Sequence, residues 1–210
     1  MKKLLLTSSS DYFYDHIGEY VDKPLDEIKI AWITTAKKAS GNPEYIEEHR
    51  KKMSEQEFGY LDIDIEGKSE DELRTLIDGS DVIYVHGGNT FHLLRAIKES
   101  SFEKIVREQL DKGVLFAGTS AGAYVACPTI EMNLWRRDIK YFPFENQDLT
   151  GMNLVPFLVE VHYEAKNKED VKKGIANTDL EVYVLTDEQA LYIEDDDVQL
   201  VGEGERIEFN

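Results

Sequence analysis

The chain has 210 residues, 41% of them hydrophobic and 31% charged, with 42 acidic against 24 basic side chains and a formal net charge of -18. That length suits one α/β domain with a full core, and the aromatic content excludes a disordered chain. So acidic a molecule is not built for nucleic acid or anionic membranes, which need basic surfaces, and it repels acidic substrates unless a local cation offsets the field.

The opening run Leu4-Leu5-Leu6 is too short for the apolar part of a signal peptide and ends in Thr7-Ser8-Ser9-Ser10. It reads as a buried first strand, Lys3–Thr7. The single cysteine, Cys127, allows no intrachain disulfide, and no stretch approaches transmembrane length. A cytoplasmic location is therefore expected, with no membrane and no nucleic-acid partner.

Further strands are expected at Lys29–Thr34, Tyr60–Ile65, Asp81–Val85 and Val114–Ala117. Amphipathic helical segments separate them: Asp11–Val21, Pro43–Phe58 with Asn42 as N-cap, Ser69–Ile77 with a capping box, Phe91–Lys98 and Phe102–Lys112. Strands alternating with helices imply a parallel sheet with right-handed crossovers. The last third changes character. Leu154–Val161 reads as a strand, Lys166–Ala176 as a helix, and Glu181–Leu185, Ala190–Glu194 and Val198–Val201 as antiparallel closing strands. Glu194-Asp195-Asp196-Asp197 lacks the ligand spacing of a calcium loop and reads as a solvated hairpin turn. The expectation is a single-domain three-layer α/β/α fold over residues 1–210, with a mostly parallel, flavodoxin-like sheet.

Gly118-Thr119-Ser120-Ala121-Gly122 follows the apolar run Val114–Ala117 and precedes a helical Ala123-Tyr124-Val125-Ala126. This is the strand, sharp turn and helix that a G-x-S-x-G nucleophile elbow requires. Small neighbours let the chain turn tightly, and the helix start supplies free N–H groups to a developing oxyanion. Earlier, Val82–Val85 leads into His86-Gly87-Gly88-Asn89-Thr90. Its glycines let a backbone N–H, that of Gly88, approach a reacting carbonyl beside that of Ala121. A dinucleotide cradle is excluded because the third glycine is missing. Asn89 or Thr90 is a possible helix cap, and His86 and Asn89 are candidates for lining the substrate pocket.

Of five histidines, His16, His49 and His92 fall on expected helices and are assigned to solvent or a helix surface. His162 closes the strand Phe157–Val161, where a general base would meet the nucleophile. Asp187, just past another strand, is the candidate acid; Glu188 is its neighbour and stays open, and is also a pocket candidate. Cys127, an alternative nucleophile, reads as a buried small hydrophobe. Arg136 and Arg137 are assigned to solvated surface.

These residues resemble the peptidase E (aspartyl dipeptidase) and cyanophycinase family of serine peptidases. The likeness is carried by Gly87-Gly88-Asn89-Thr90-Phe91, Ser120-Ala121-Gly122-Ala123, Ala126-Cys127-Pro128-Thr129-Ile130, His162-Tyr163 and Leu185-Thr186-Asp187. The resemblance implies a class I glutamine amidotransferase-like fold, with Ser120 as nucleophile, His162 as base, an acid at Asp187, and Gly88 and Ala121 as oxyanion donors. It implies hydrolysis of dipeptides or short peptides through an acyl-enzyme; no cofactor and no metal are expected, and the chain is expected as a monomer or homodimer. Peptidase E itself selects N-terminal aspartate with an arginine downstream of the histidine, but no arginine lies between Arg137 and Arg206 here, and Lys166 or Lys168 would lack its bidentate fork. Aspartyl selectivity is accordingly not expected. The competing readings are an esterase or amidase on a non-peptide substrate, and a non-catalytic binding member of the family.

Overall fold

A computed structural model describes residues 1–39, 43–137 and 140–209. Seven strands form one sheet: β1 (Lys3–Thr7), β2 (Lys29–Ile33), β3 (Gly59–Ile63), β4 (Val82–Val85), β5 (Leu115–Thr119), β8 (Gln189–Glu194) and β9 (Asp197–Gly202), in the order β3-β2-β4-β5-β1-β8-β9. The first five are mutually parallel, and β8 and β9 close one edge antiparallel. Alternate side chains of each strand face opposite layers. Leu4 and Leu6 join one apolar cluster, while Leu5 joins the other.

Helices cover both faces. Tyr12, Phe13 and Tyr14 of α1 (Ser10–His16) and Met53 of α3 (Pro43–Ser54) pack with Trp32 and Tyr84. The second face carries α4 (Glu70–Ile77), α5 (Thr90–Glu99), α6 (Phe102–Asp111) and the short α7 (Ala121–Ala126). Ala36 of a further short helix, α2 (Thr35–Lys38), lies in that same cluster. The capping box of α4 forms as read: Ser69 accepts from the Glu72 N–H, and the Glu72 carboxylate accepts from the Ser69 N–H at 2.8 Å. The Asn42 cap lies outside the described residues.

Two expectations for the last third are corrected. Only Leu158–Glu160 of the apolar run is a strand, β6. The N–H groups of Met152 and Leu154 instead donate to the carbonyls of Val125 and Ala126, both at 2.7 Å, so this segment caps the end of α7. The next strand, β7 (Val182–Val184), is not antiparallel to its successors; it pairs parallel with β6 in a separate two-stranded sheet. Between them runs α8 (Lys168–Ile175), so the small sheet is a βαβ unit of its own. The acidic turn does close a hairpin, with Glu194 opposite Asp197 and Asp195 at φ 53°.

Candidate active site

Strand register brings the site together. Thr7 of β1 pairs with Thr119 of β5, and Val85 of β4 pairs with Gly118, so Ser8, Ser120 and Gly87 leave the same carboxyl edge of the sheet. In the small sheet Glu160 pairs with Val184, and the ladder continues through Leu185 N–H to Glu160 O at 2.8 Å and Tyr163 N–H to Leu185 O at 3.0 Å. Two parallel strands ending at one level thus deliver His162 and Asp187 side by side.

Ser120 has φ 52° and ψ -106°, outside the regions ordinarily open to an L-residue, and such strain costs about 1–3 kcal/mol. The surroundings hold it there. Its N–H donates to Thr7 O at 3.0 Å, and its carbonyl accepts from Tyr124 N–H in α7 at 3.0 Å. The flanking glycines are demanded by close backbone approach. A Cβ on Gly118 would lie 2.5 Å from Gly122 O, and one on Gly122 would lie 2.0 Å from Val85 O. Gly87 abuts the serine, where a Cβ would sit 3.1 Å from Ser120 Cβ. Gly88 adopts φ +145°, and a Cβ there would meet Ala36 O at 2.4 Å. Ala121 and Gly122 open α7, so their N–H groups have no intrahelical acceptor behind them.

Nε2 of His162 lies 2.9 Å from Ser120 Oγ, and its Nδ1 lies 2.6 Å from Asp187 Oδ1. This imidazole bond, with the Ser8 hydroxyl and the nearby Arg136 charge, holds the Asp187 carboxyl below its ordinary pKa against the opposing effect of partial burial. Glu188 is exposed and makes no bond to the imidazole among the described contacts.

Three residues to which the sequence assigned no part in the site support this chain. The Ser8 hydroxyl accepts from His162 N–H at 2.8 Å and donates to Asp187 Oδ1 at 2.7 Å. Arg136 is not solvated surface: its side chain is 19% exposed, its Nη1 donates to His162 O at 3.1 Å, and its Nε lies 3.4 Å from Glu160 Oε1. Glu160 is fully buried and also accepts from the Tyr124 hydroxyl at 3.0 Å, tying the segment before His162 to the helix that follows Ser120. Arg137 does stay at the surface, paired with Asp170.

The pocket assignments fare differently. Asn89 caps α5, accepting from His92 N–H at 3.1 Å. His86 does not reach the surface. It is completely buried, with Nε2 3.5 Å from the Tyr14 hydroxyl and its ring 4.4 Å from that of His49. Desolvation drives its pKa well below the ordinary histidine value. His49 and His92 are buried as well, contrary to the surface assignment; His49 lies on the inward face of α3, four residues before the buried Met53. Cys127 is fully buried, and its thiol is pushed up to about 12 by desolvation. Among the described residues, no group of three or more His, Cys, Asp and Glu is placed to hold a metal, and no helix is long and apolar enough to cross a membrane.

The profile of Peptidase family S51 matches residues 4–201. The chain belongs to peptidase family S51. It is 31% identical over 221 residues to a peptidase E of Nostoc sp., covering 96% of this chain and 86% of that one. It is 30% identical over 167 residues to an uncharacterized peptidase of Pasteurella multocida, covering 78% of each. A crystal structure from Listeria monocytogenes EGD-e, provisionally described as a peptidase E, superposes with TM-score 0.80 at 28% identity, covering 97% of this chain and all of that one. Against this S51 background, the parallel core with its antiparallel edge is the fold that the motifs anticipated.

Proposed function

We propose that this S51 peptidase is a serine hydrolase that cleaves dipeptides or short peptides through an acyl-enzyme on Ser120. The observation that carries the reading is the unbroken chain from Ser120 Oγ through His162 to Asp187, at 2.9 and 2.6 Å. His162 Nε2 takes the Ser120 hydroxyl proton as Oγ bonds the scissile carbonyl carbon. The carbonyl electron pair moves to oxygen, where the N–H groups of Gly88 and Ala121 receive it. Collapse breaks the C–N bond, and the imidazolium returns its proton to the leaving amine. Water then repeats the sequence on the ester and regenerates Ser120. Asp187 stays ionised, orienting the imidazole and stabilising its cation.

The substrate class follows from which cations are available. Arg136, the arginine beside the base, is engaged by buried Glu160 and the His162 carbonyl. Lys166 is exposed and paired with Glu164 at 2.9 Å. Neither supplies the buried bidentate fork that a substrate carboxylate needs. Neutral N-terminal residues are therefore the preferred class. A dipeptide panel against wild type and Ser120→Ala tests this. The expected result is turnover by wild type, none by the variant, and no large preference for Asp-Leu over Ala-Leu. Equal turnover by both proteins overturns the proposal. Cleavage of p-nitrophenyl acetate with no dipeptide cleaved assigns an esterase instead.

A further inference from the structure

We propose that Ser8 is a positioning residue that aims the His162 imidazole at Ser120, an inference that rests on the serine-hydrolase reading above. Ser8 is completely buried, one residue beyond β1, and its own N–H is tied to Gln189 O at 3.4 Å. Its hydroxyl therefore belongs to a rigid sheet end.

The chemistry fixes the direction of both of its bonds. An amide N–H can only donate, so the Ser8 oxygen accepts from His162 at 2.8 Å. An ionised carboxylate can only accept, so the Ser8 hydrogen goes to Asp187 Oδ1 at 2.7 Å. That same Oδ1 is the atom 2.6 Å from His162 Nδ1. One hydroxyl thus grips the backbone of the base and the oxygen that orients its ring.

The grip matters because His162 is strained. Its φ of 56° is a left-handed conformation that a non-glycine residue adopts only when its surroundings hold it there. The backbone is held on both sides, by Ser8 at the N–H and by Arg136 at the carbonyl. Releasing the N–H side lets φ relax and swings Nε2 away from its 2.9 Å contact with Ser120. A displacement of about 1 Å in such a contact costs on the order of 100-fold in rate. With Ser8 completely buried, its side chain is out of reach of substrate, and the loss is expected in kcat rather than KM.

The test compares Ser8→Ala, Ser8→Thr and Ser8→Val with wild type. It uses the best dipeptide for kcat and KM, and a fluorophosphonate for the rate of Ser120 labelling. Thr keeps the hydroxyl and Val replaces it at equal volume, so that pair isolates the hydrogen bonds even if Ser8→Ala does not fold. Ser8→Ala and Ser8→Val are expected to lose about 10- to 100-fold in kcat with KM nearly unchanged, and labelling slows by the same factor. Ser8→Thr is expected to restore most of both, together with the downfield Nδ1 proton signal of His162. Wild-type kcat in Ser8→Val, or an equal loss in folded Ser8→Thr and Ser8→Val, overturns the proposal. Wild-type protein that neither turns over nor labels would sink the hydrolase reading itself, a distinct failure.

Discussion

Asp187 Oδ1 lies 2.6 Å from Nδ1 of His162, while Glu188, the next residue along, points to solvent. Two adjacent carboxylates thus have separate fates, decided by the register of β7 against β6. Asp187→Asn leaves the shape intact but offers the imidazole an amide in place of a charge. Its kcat is expected to fall by on the order of 10³–10⁴-fold. Glu188→Gln is expected to stay within about threefold, since an exposed, unbonded carboxylate adds little. Steady-state kinetics on the two variants checks the pair.

The depressed pKa of Asp187 has a sign that acid tests. Its ionised form is favoured in the folded state, so the associated stability is present above the ordinary carboxyl value of 3.8 and is lost as pH falls through a lower folded value. Beside His86, behind the glycine loop, a second buried group responds at milder pH. His49 is buried, and its pKa is lowered from 6.5 to about 4, chiefly by desolvation and then by Lys37 and Lys52, against a small opposing effect of Asp11. Between those values the unfolded chain binds more protons, so stability rises with pH across the window from about 4 to 6.5. The contribution is on the order of 2–3 kcal/mol, and His86 acts in the same direction. Urea unfolding between pH 4.5 and 6.5 should show this slope, and His49→Gln should flatten part of it. An identical slope in the variant would remove His49 from the account.

Gly122 tests the packing of the elbow. A Cβ there would lie 2.0 Å from Val85 O, and backbone cannot yield that distance. Gly122→Ala is expected to destabilise by about 3 kcal/mol or more, or to prevent folding. Gly67 is the control: its φ is +73° but nothing lies within 4 Å, so Ala there carries only backbone strain of about 1 kcal/mol. Thermal unfolding of both variants separates steric approach from conformational freedom.

Cys127 tests the identity of the nucleophile. It is fully buried, donates weakly to Ala123 O at 3.5 Å, and its thiol is pushed up to about 12. Native protein is expected to resist thiol-directed disulfide reagents and to react only when unfolded. Cys127→Ala should retain activity within about threefold, and its loss would contradict a serine mechanism.

Much of the central sheet was legible because each parallel strand is a short apolar run between polarity-patterned helices. The elbow was legible because its small residues answer to one steric demand. Leu154–Phe157 was misread for a physical reason: apolar character marks burial, and burial by capping α7 looks the same as burial in a ladder. The pairing of β6 with β7 was hidden because helix α8 separates them while their lengths, three residues each, leave no periodicity to read. Arg136 resembled any surface arginine because its partner Glu160 lies 24 positions away on a strand where a buried carboxylate is not anticipated. Ser8 carried a weak signal, a polar residue at the end of a buried strand, but nothing local links it to residues 162 and 187.

The most direct measurement is fluorophosphonate labelling of the folded protein, read by intact mass and by the position of the modified peptide. A single adduct on Ser120 is expected, absent in Ser120→Ala and slowed by on the order of 10³-fold in His162→Ala. Folded wild type that takes up no label, or label that persists undiminished in Ser120→Ala, would contradict it.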